Sequence, residues 1–171
     1  MLYLAQLLSI YDGNTPDRWG YSFTRSCFGA PLSSEIIAEI EFLCSKGLIK
    51  KDENSFYYVT GDVRNSLMKR IELSDYLGWR TSYILAALDS LLTKSFPKVV
   101  SSIQFDPAIV ELEILDRTSV LLNEATLRTL YDDFETLKSI SGTNGRNLLI
   151  TASLWIDYLG LLAQKEKKDD R

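Results

Sequence analysis

Histidine is absent from the 171-residue chain. With it go the commonest general base, the Ser-His-Asp and Cys-His constellations and the usual nitrogen ligands of zinc. Cysteine is almost as scarce: Cys27 and Cys44 are the only two, they form no CxxC pair, and free thiols are expected rather than a disulfide or a ligand set. No apolar run approaches the roughly 18 residues that a membrane helix needs, and no basic segment precedes the apolar start as in a secretory leader. The chain is therefore read as cytoplasmic. Basic residues are not in excess either. Lys and Arg number 19 against 23 Asp and Glu, for a formal charge of -4 and a pI near 4.9; this opposes generic polyanion binding, which depends on clustered cations that release counterions.

Phosphate loops are missing as well. There is no GxxxxGK[ST], and Gly142-Thr143-Asn144-Gly145 lacks both the spacing and the preceding strand. Carboxylates are plentiful, but Glu111/Glu113 and Asp132/Asp133/Glu135 fall at polar helical positions and read as solvated faces. Asp52-Glu53-Asn54 has calcium-like residue types without the rest of a twelve-residue loop. No catalytic, cofactor-binding or metal-ligating residue is predicted, and no cofactor.

What is present is a hydrophobic fraction of 46%, enough for a folded core, and an informative stretch from Phe28 to Thr60. Ile36, Ile37, Ile40, Leu43 and Cys44 recur on one stripe of a 3.6-residue helix. Ser33 stands at its N-cap, Glu35 in its first turn, and Gly47 at the left-handed stop. The period then changes: Leu48-Ile49-Lys50 and Phe56-Tyr57-Tyr58-Val59 are β-prone and flank the turn-like Lys51 to Ser55, which predicts a hairpin. Helix, stop and hairpin together outline a winged helix. Leu2 to Ile10 supplies its first helix, ended by Asp12-Gly13-Asn14-Thr15-Pro16; the aromatic-rich Arg18 to Phe28 is open between a short helix and a strand, and is read as the short second helix that the module needs.

Beyond the wing the chain reads as helical. Asp62 is expected to cap a helix bearing Val63, Leu67, Met68 and Ile71. Ser74 opens a longer one with Ile84, Leu85, Leu88, Leu91 and Leu92 as the buried stripe, ended by Pro97. Asp106-Pro107 places a cap and a first-position proline before a helix to about residue 117. Asn123 caps the next, striped by Leu127, Leu130, Tyr131, Phe134 and Leu137 and broken at 141–145. The last runs from about Asn147 to Gln164, carries Leu148, Ile150, Leu154, Trp155, Tyr158, Leu161 and Leu162, and leads into a charged, frayed tail. The expected fold class is mainly α: a winged-helix module over 1–60 and a helical extension over 61–171.

Charge on the helix before the wing weighs against groove reading. Glu35, Glu39 and Glu41 precede any basic residue there, and acids facing phosphates are repulsive. Arg18, Arg25, Lys46, Lys50 and Lys51 are the cations that a DNA-binding reading would use. Among the aromatics, Phe42, Tyr131 and Phe134 look like core by their spacing. Core is the first reading of Trp19, Trp79 and Trp155 too, but with Tyr158 they are the candidates for a partner-binding surface, because aromatics left at a surface mark partner sites.

Phe28-Gly29-Ala30-Pro31-Leu32-Ser33-Ser34-Glu35-Ile36, followed by Leu43 and Gly47-Leu48-Ile49, resembles a pattern shared by two prokaryotic groups. One is the middle component of ABC-type three-component anti-phage systems, including the Lamassu type. The other is the Panacea or SocA-like antitoxins. Leu2-Tyr3 and Leu7-Leu8 stand in for the leading helix of the pattern, Ala30 interrupts its Gly-Pro, and Leu32 replaces its aromatic; the likeness spans about the first third of the chain. The helical C-terminal half favours the first group. That resemblance implies a non-enzymatic adaptor subunit bridging an SMC-like coiled-coil ATPase and an effector protein, with DNA contact only inside the complex and no membrane. The alternative is a winged-helix transcriptional regulator or antitoxin.

Overall fold

Helix α1, Leu2–Tyr11, is buried at every position from Tyr3 to Tyr11, as expected of a helix that is apolar nearly all round. The computed structural model of the chain describes residues 1–114, 120–141 and 147–169. The fold is mainly α, with seven further helices among the described residues: α2 Ser34–Ser45, α3 Gly61–Glu72, α4 Asp75–Leu92, α5 Phe96–Ile103, α6 Pro107–Ile114, α7 Glu124–Ser141 and α8 Leu148–Asp169. The strands are short. β1 Thr24–Arg25 pairs antiparallel with β2 Pro31–Leu32, and β3 Ile49–Lys51 pairs antiparallel with β4 Tyr57–Val59, Ile49 facing Val59 and Lys51 facing Tyr57.

The chain divides into two compact units, residues 1–32 with 83–171, and residues 33–82. The boundary expected at residue 60 matches neither edge. α1 belongs with the C-terminal helices and packs on α8, because a helix buried on all sides needs several neighbours. Residues 18–28, expected as a helix, hold the end of a 3-10 turn at Pro16–Trp19 and then β1. Gly20, with φ 72°, stops that turn in the left-handed region that glycine enters without steric cost.

In the first unit the cap residues act as their positions predict. The Asp106 carboxylate accepts the Ala108 amide at 3.0 Å, and Asn123 Oδ1 accepts the amides of Ala125 and Thr126 at 2.9 and 3.1 Å. Several stripes are rotated from their expected register. In α4 the buried side chains are Tyr83, Ala86, Ala87 and Ser90, while Leu85 and Leu92 face solvent, so the buried face is lined largely by small residues. In α8, Ala152, Trp155, Ile156, Leu159 and Ala163 are buried and Ile150 and Leu161 are exposed. Tyr131 is likewise exposed, whereas Leu130 and Phe134 are core. Pro97 does not end α4. It sits in the first turn of α5, where a missing amide proton costs nothing. α6 is described to Ile114, and the expected continuation to 117, like the break at 142–145, lies outside the described residues.

In the second unit, Ser33 caps α2, its Oγ accepting the Ile36 amide at 3.4 Å, and Gly47 takes φ 69° at the stop. The hairpin turn closes where the Asp52 carboxylate accepts the Phe56 amide at 2.7 Å. α3 starts at Gly61 after Thr60, so Asp62 lies in the first turn and is not the cap; there it still complements the helix dipole. None of the residues of α2 or α3 is buried. The stripe Ile36, Ile40, Leu43 and Cys44 is half-buried, and Ile37 and Phe42 are exposed.

Candidate functional site

The residues singled out from the sequence separate into core and surface. Trp19 is 0% exposed; its indole nitrogen donates to Ser9 Oγ at 2.7 Å, and its ring lies at an angle to Tyr83, 6.4 Å between centroids. Trp155 is 1% exposed and packs edge-on against Phe134 at 4.8 Å and beside Tyr158 at 5.5 Å. Both are core residues and neither is a partner-binding residue: each has a long apolar ring that the helices enclose. Tyr158 is half-buried, its hydroxyl donating to Asp133 at 3.4 Å. Trp79 is also half-buried and stacks on Tyr76 at 6.4 Å, with the Arg80 guanidinium 4.6 Å from the Tyr76 ring.

Sequence reasoning missed a polar centre in the first unit. Asp106 is fully buried, and its Oδ1 accepts the Tyr3 hydroxyl at 2.9 Å as well as the Ala108 amide. Burial pushes its pKa up to about 6, against the opposing pull of the hydrogen bonds from the Tyr3 hydroxyl and the Ala108 amide. The same burial and the neighbouring carboxylate hold the Tyr3 phenol well above its ordinary value. Asp133 is raised too, first by burial. The only sequence signal was the Asp-Pro cap, which says nothing about depth. Nearby, Lys94 and Lys98 reach Asp157 at 2.8 and 3.2 Å and lower its pKa through those hydrogen bonds.

Exposed apolar side chains are densest in the second unit. Half of the large apolar side chains exposed among the described residues fall within 33–82, on a segment that is under a third of the chain. The hairpin is the densest part: Phe56 is 70% exposed, and Tyr57, Tyr58 and Val59 are all exposed. Lys46, Lys50 and Lys51 are exposed here; Lys46 Nζ stands 5.4 Å from the Phe42 ring centre and Lys51 Nζ 5.7 Å from that of Tyr57. On α2 the exposed charges are Glu35, Glu39 and Glu41. Arg18 and Arg25 belong to the other unit, Arg18 exposed and donating to Asn14, Arg25 half-buried in β1.

No protein-family model, curated protein or solved structure matches this chain. Its functional reading therefore rests on its own residues. Among the described residues no helix is long and apolar enough to cross a membrane, and no group of three or more His, Cys, Asp or Glu side chains could hold a metal ion. Cys27 is exposed and Cys44 half-buried, both free.

Proposed function

We propose that this protein is a non-enzymatic adaptor that works by protein–protein contact, in the cytoplasm, within a prokaryotic anti-phage complex where it bridges an SMC-like coiled-coil ATPase and an effector. The observation that carries the reading is the hairpin: Phe56, Tyr57 and Tyr58 stand in solvent on a two-stranded ribbon. Aromatic side chains grouped in this way are what binding hot spots are made of, and a monomer gains nothing from leaving them wet. The assignment to a defence complex comes from the resemblance around Phe28 to Ile49.

A winged-helix DNA-binding regulator is the second reading, favoured by Lys46, Lys50 and Lys51 at the end of α2 and on β3. Against it stand three exposed glutamates on α2, the helix that would enter the groove. We expect the purified protein to bind short duplexes only as a non-specific binder does, with Kd roughly 10⁻⁴ to 10⁻⁶ M at physiological salt. In co-expression with the ATPase and effector of such a system, the tagged protein should recover both, and Phe56→Ala with Tyr58→Ala should reduce that recovery at least tenfold, about 1.4 kcal/mol or more. Nanomolar, sequence-selective operator binding with no ATPase recovered would favour the regulator.

A further inference from the structure

Helix α3 carries an apolar stripe with no fully buried residue. Val63, Leu67 and Ile71 recur at i, i+4 and i+8; Leu67 is 45% exposed, Val63 and Ile71 are half-buried, and Met68 beside them is exposed. At about 100° per residue, Arg70 falls on one flank of this stripe and Arg64 on the other. Helix α2 has the complementary layout on its exposed side. Ala38 and Phe42, at i and i+4, both face solvent, and by the same geometry Glu39 lies on one flank and Glu41 on the other, with Lys46 Nζ at the C-terminal end of the face, 5.4 Å from the Phe42 ring centre. Among the described residues none of Glu39, Glu41, Arg64 and Arg70 makes an ion pair.

From this we infer that the protein self-associates as a two-fold dimer, with the basic-flanked stripe of α3 from one copy seated on the acidic-flanked Ala38–Phe42 face of α2 from the other, and the reverse. The chain supplies both halves of the match, and a two-fold axis uses each of them once, which closes the interface without leaving either face open. The small Ala38 side chain leaves room for Leu67. The flanking charges then fix register and suppress mismatched pairings. The inference goes beyond the adaptor reading and does not depend on it, since it uses α2 and α3 and leaves the aromatic hairpin free.

Sedimentation equilibrium of the full chain over a range up to roughly 100 μM, which covers weak as well as tight association, tests it. A monomer–dimer equilibrium is expected. Arg64→Glu with Arg70→Glu should weaken it at least tenfold, and Glu39→Arg with Glu41→Arg should do the same. Mixing the two reversed proteins should restore association as a heterodimer to within about threefold of the original, because every reversed acid then meets a reversed base. Leu67→Arg, at an exposed position, should give a folded monomer by circular dichroism. A protein that stays monomeric throughout, a dimer indifferent to these reversals, or reversed proteins that do not rescue each other would overturn the assignment. So would binding of the monomer to phosphatidylserine vesicles in place of dimerisation, which would make the basic-flanked stripe a membrane-surface helix.

Discussion

Trp155→Ala is expected to destabilise the protein by about 3–5 kcal/mol, a large share of the 5–15 kcal/mol that holds a typical domain. The ring is 1% exposed and touches Phe134 and Tyr158, so truncation removes its transfer energy and leaves a cavity that the surrounding helices cannot fully close. At this chain length the melting temperature should fall by roughly 10 °C or more. Trp79→Ala makes the control. That side chain is half-buried and stacks on Tyr76, so its loss should cost less than half as much. Thermal denaturation of the two variants side by side checks the pair, and equal losses would mean that Trp155 is not enclosed as described.

The second large effect is a pH dependence centred on Asp106. Its pKa in the folded protein is about 6, against 3.8 for the unperturbed group. A raised carboxylate pKa means that the folded state holds the proton more tightly than the unfolded one. The associated stability is therefore fully present below pH 3.8 and is lost as pH rises through about 6. The difference amounts to about 3 kcal/mol. Asp106→Asn keeps an oxygen for the Tyr3 hydroxyl and the Ala108 amide but carries no titrating proton. Relative to the parent protein, the variant should gain about 2–2.5 kcal/mol between pH 4 and pH 7, read as the change in the gap between their urea midpoints. The other carboxylates, including the lowered Asp157, are common to both proteins and cancel in that comparison. A gap that does not change with pH would show that Asp106 titrates as an ordinary surface acid.

These two residues also mark where sequence reading reaches its limit. Local signals carried through: Ser33, Asp106 and Asn123 are caps because a short polar side chain satisfies free amides within three residues, and Gly47 stops α2 because only a left-handed residue fits there. Helix α2 and the β3–β4 hairpin were legible for the same reason. Which face of a helix is buried is a tertiary question. In α4 and α8 the buried positions include Ala86, Ala87, Ala152 and Ala163, small residues that a hydrophobic stripe underweights, so some of the leucines beside them were misread as core. Trp19 and Trp155, partner-surface candidates beside a core reading, are enclosed; Trp155 already lay on the apolar run of its helix, whereas Trp19 stands outside any periodic run. The surface of 33–82 was hidden by the same ambiguity: a stripe of isoleucines predicts burial, yet α2 has no buried residue.

Hydrogen exchange, comparing the free protein with the complex proposed between it and a coiled-coil ATPase, tests the central claim most directly. The backbone amides of the short, exposed hairpin should exchange quickly in the free protein. On complex formation, protection should appear over residues 49–59, around the aromatic trio Phe56, Tyr57 and Tyr58, while α1 and α8 remain unchanged. Protection confined to residues 83–169, with the hairpin as fast in the complex as in the free protein, would contradict the account.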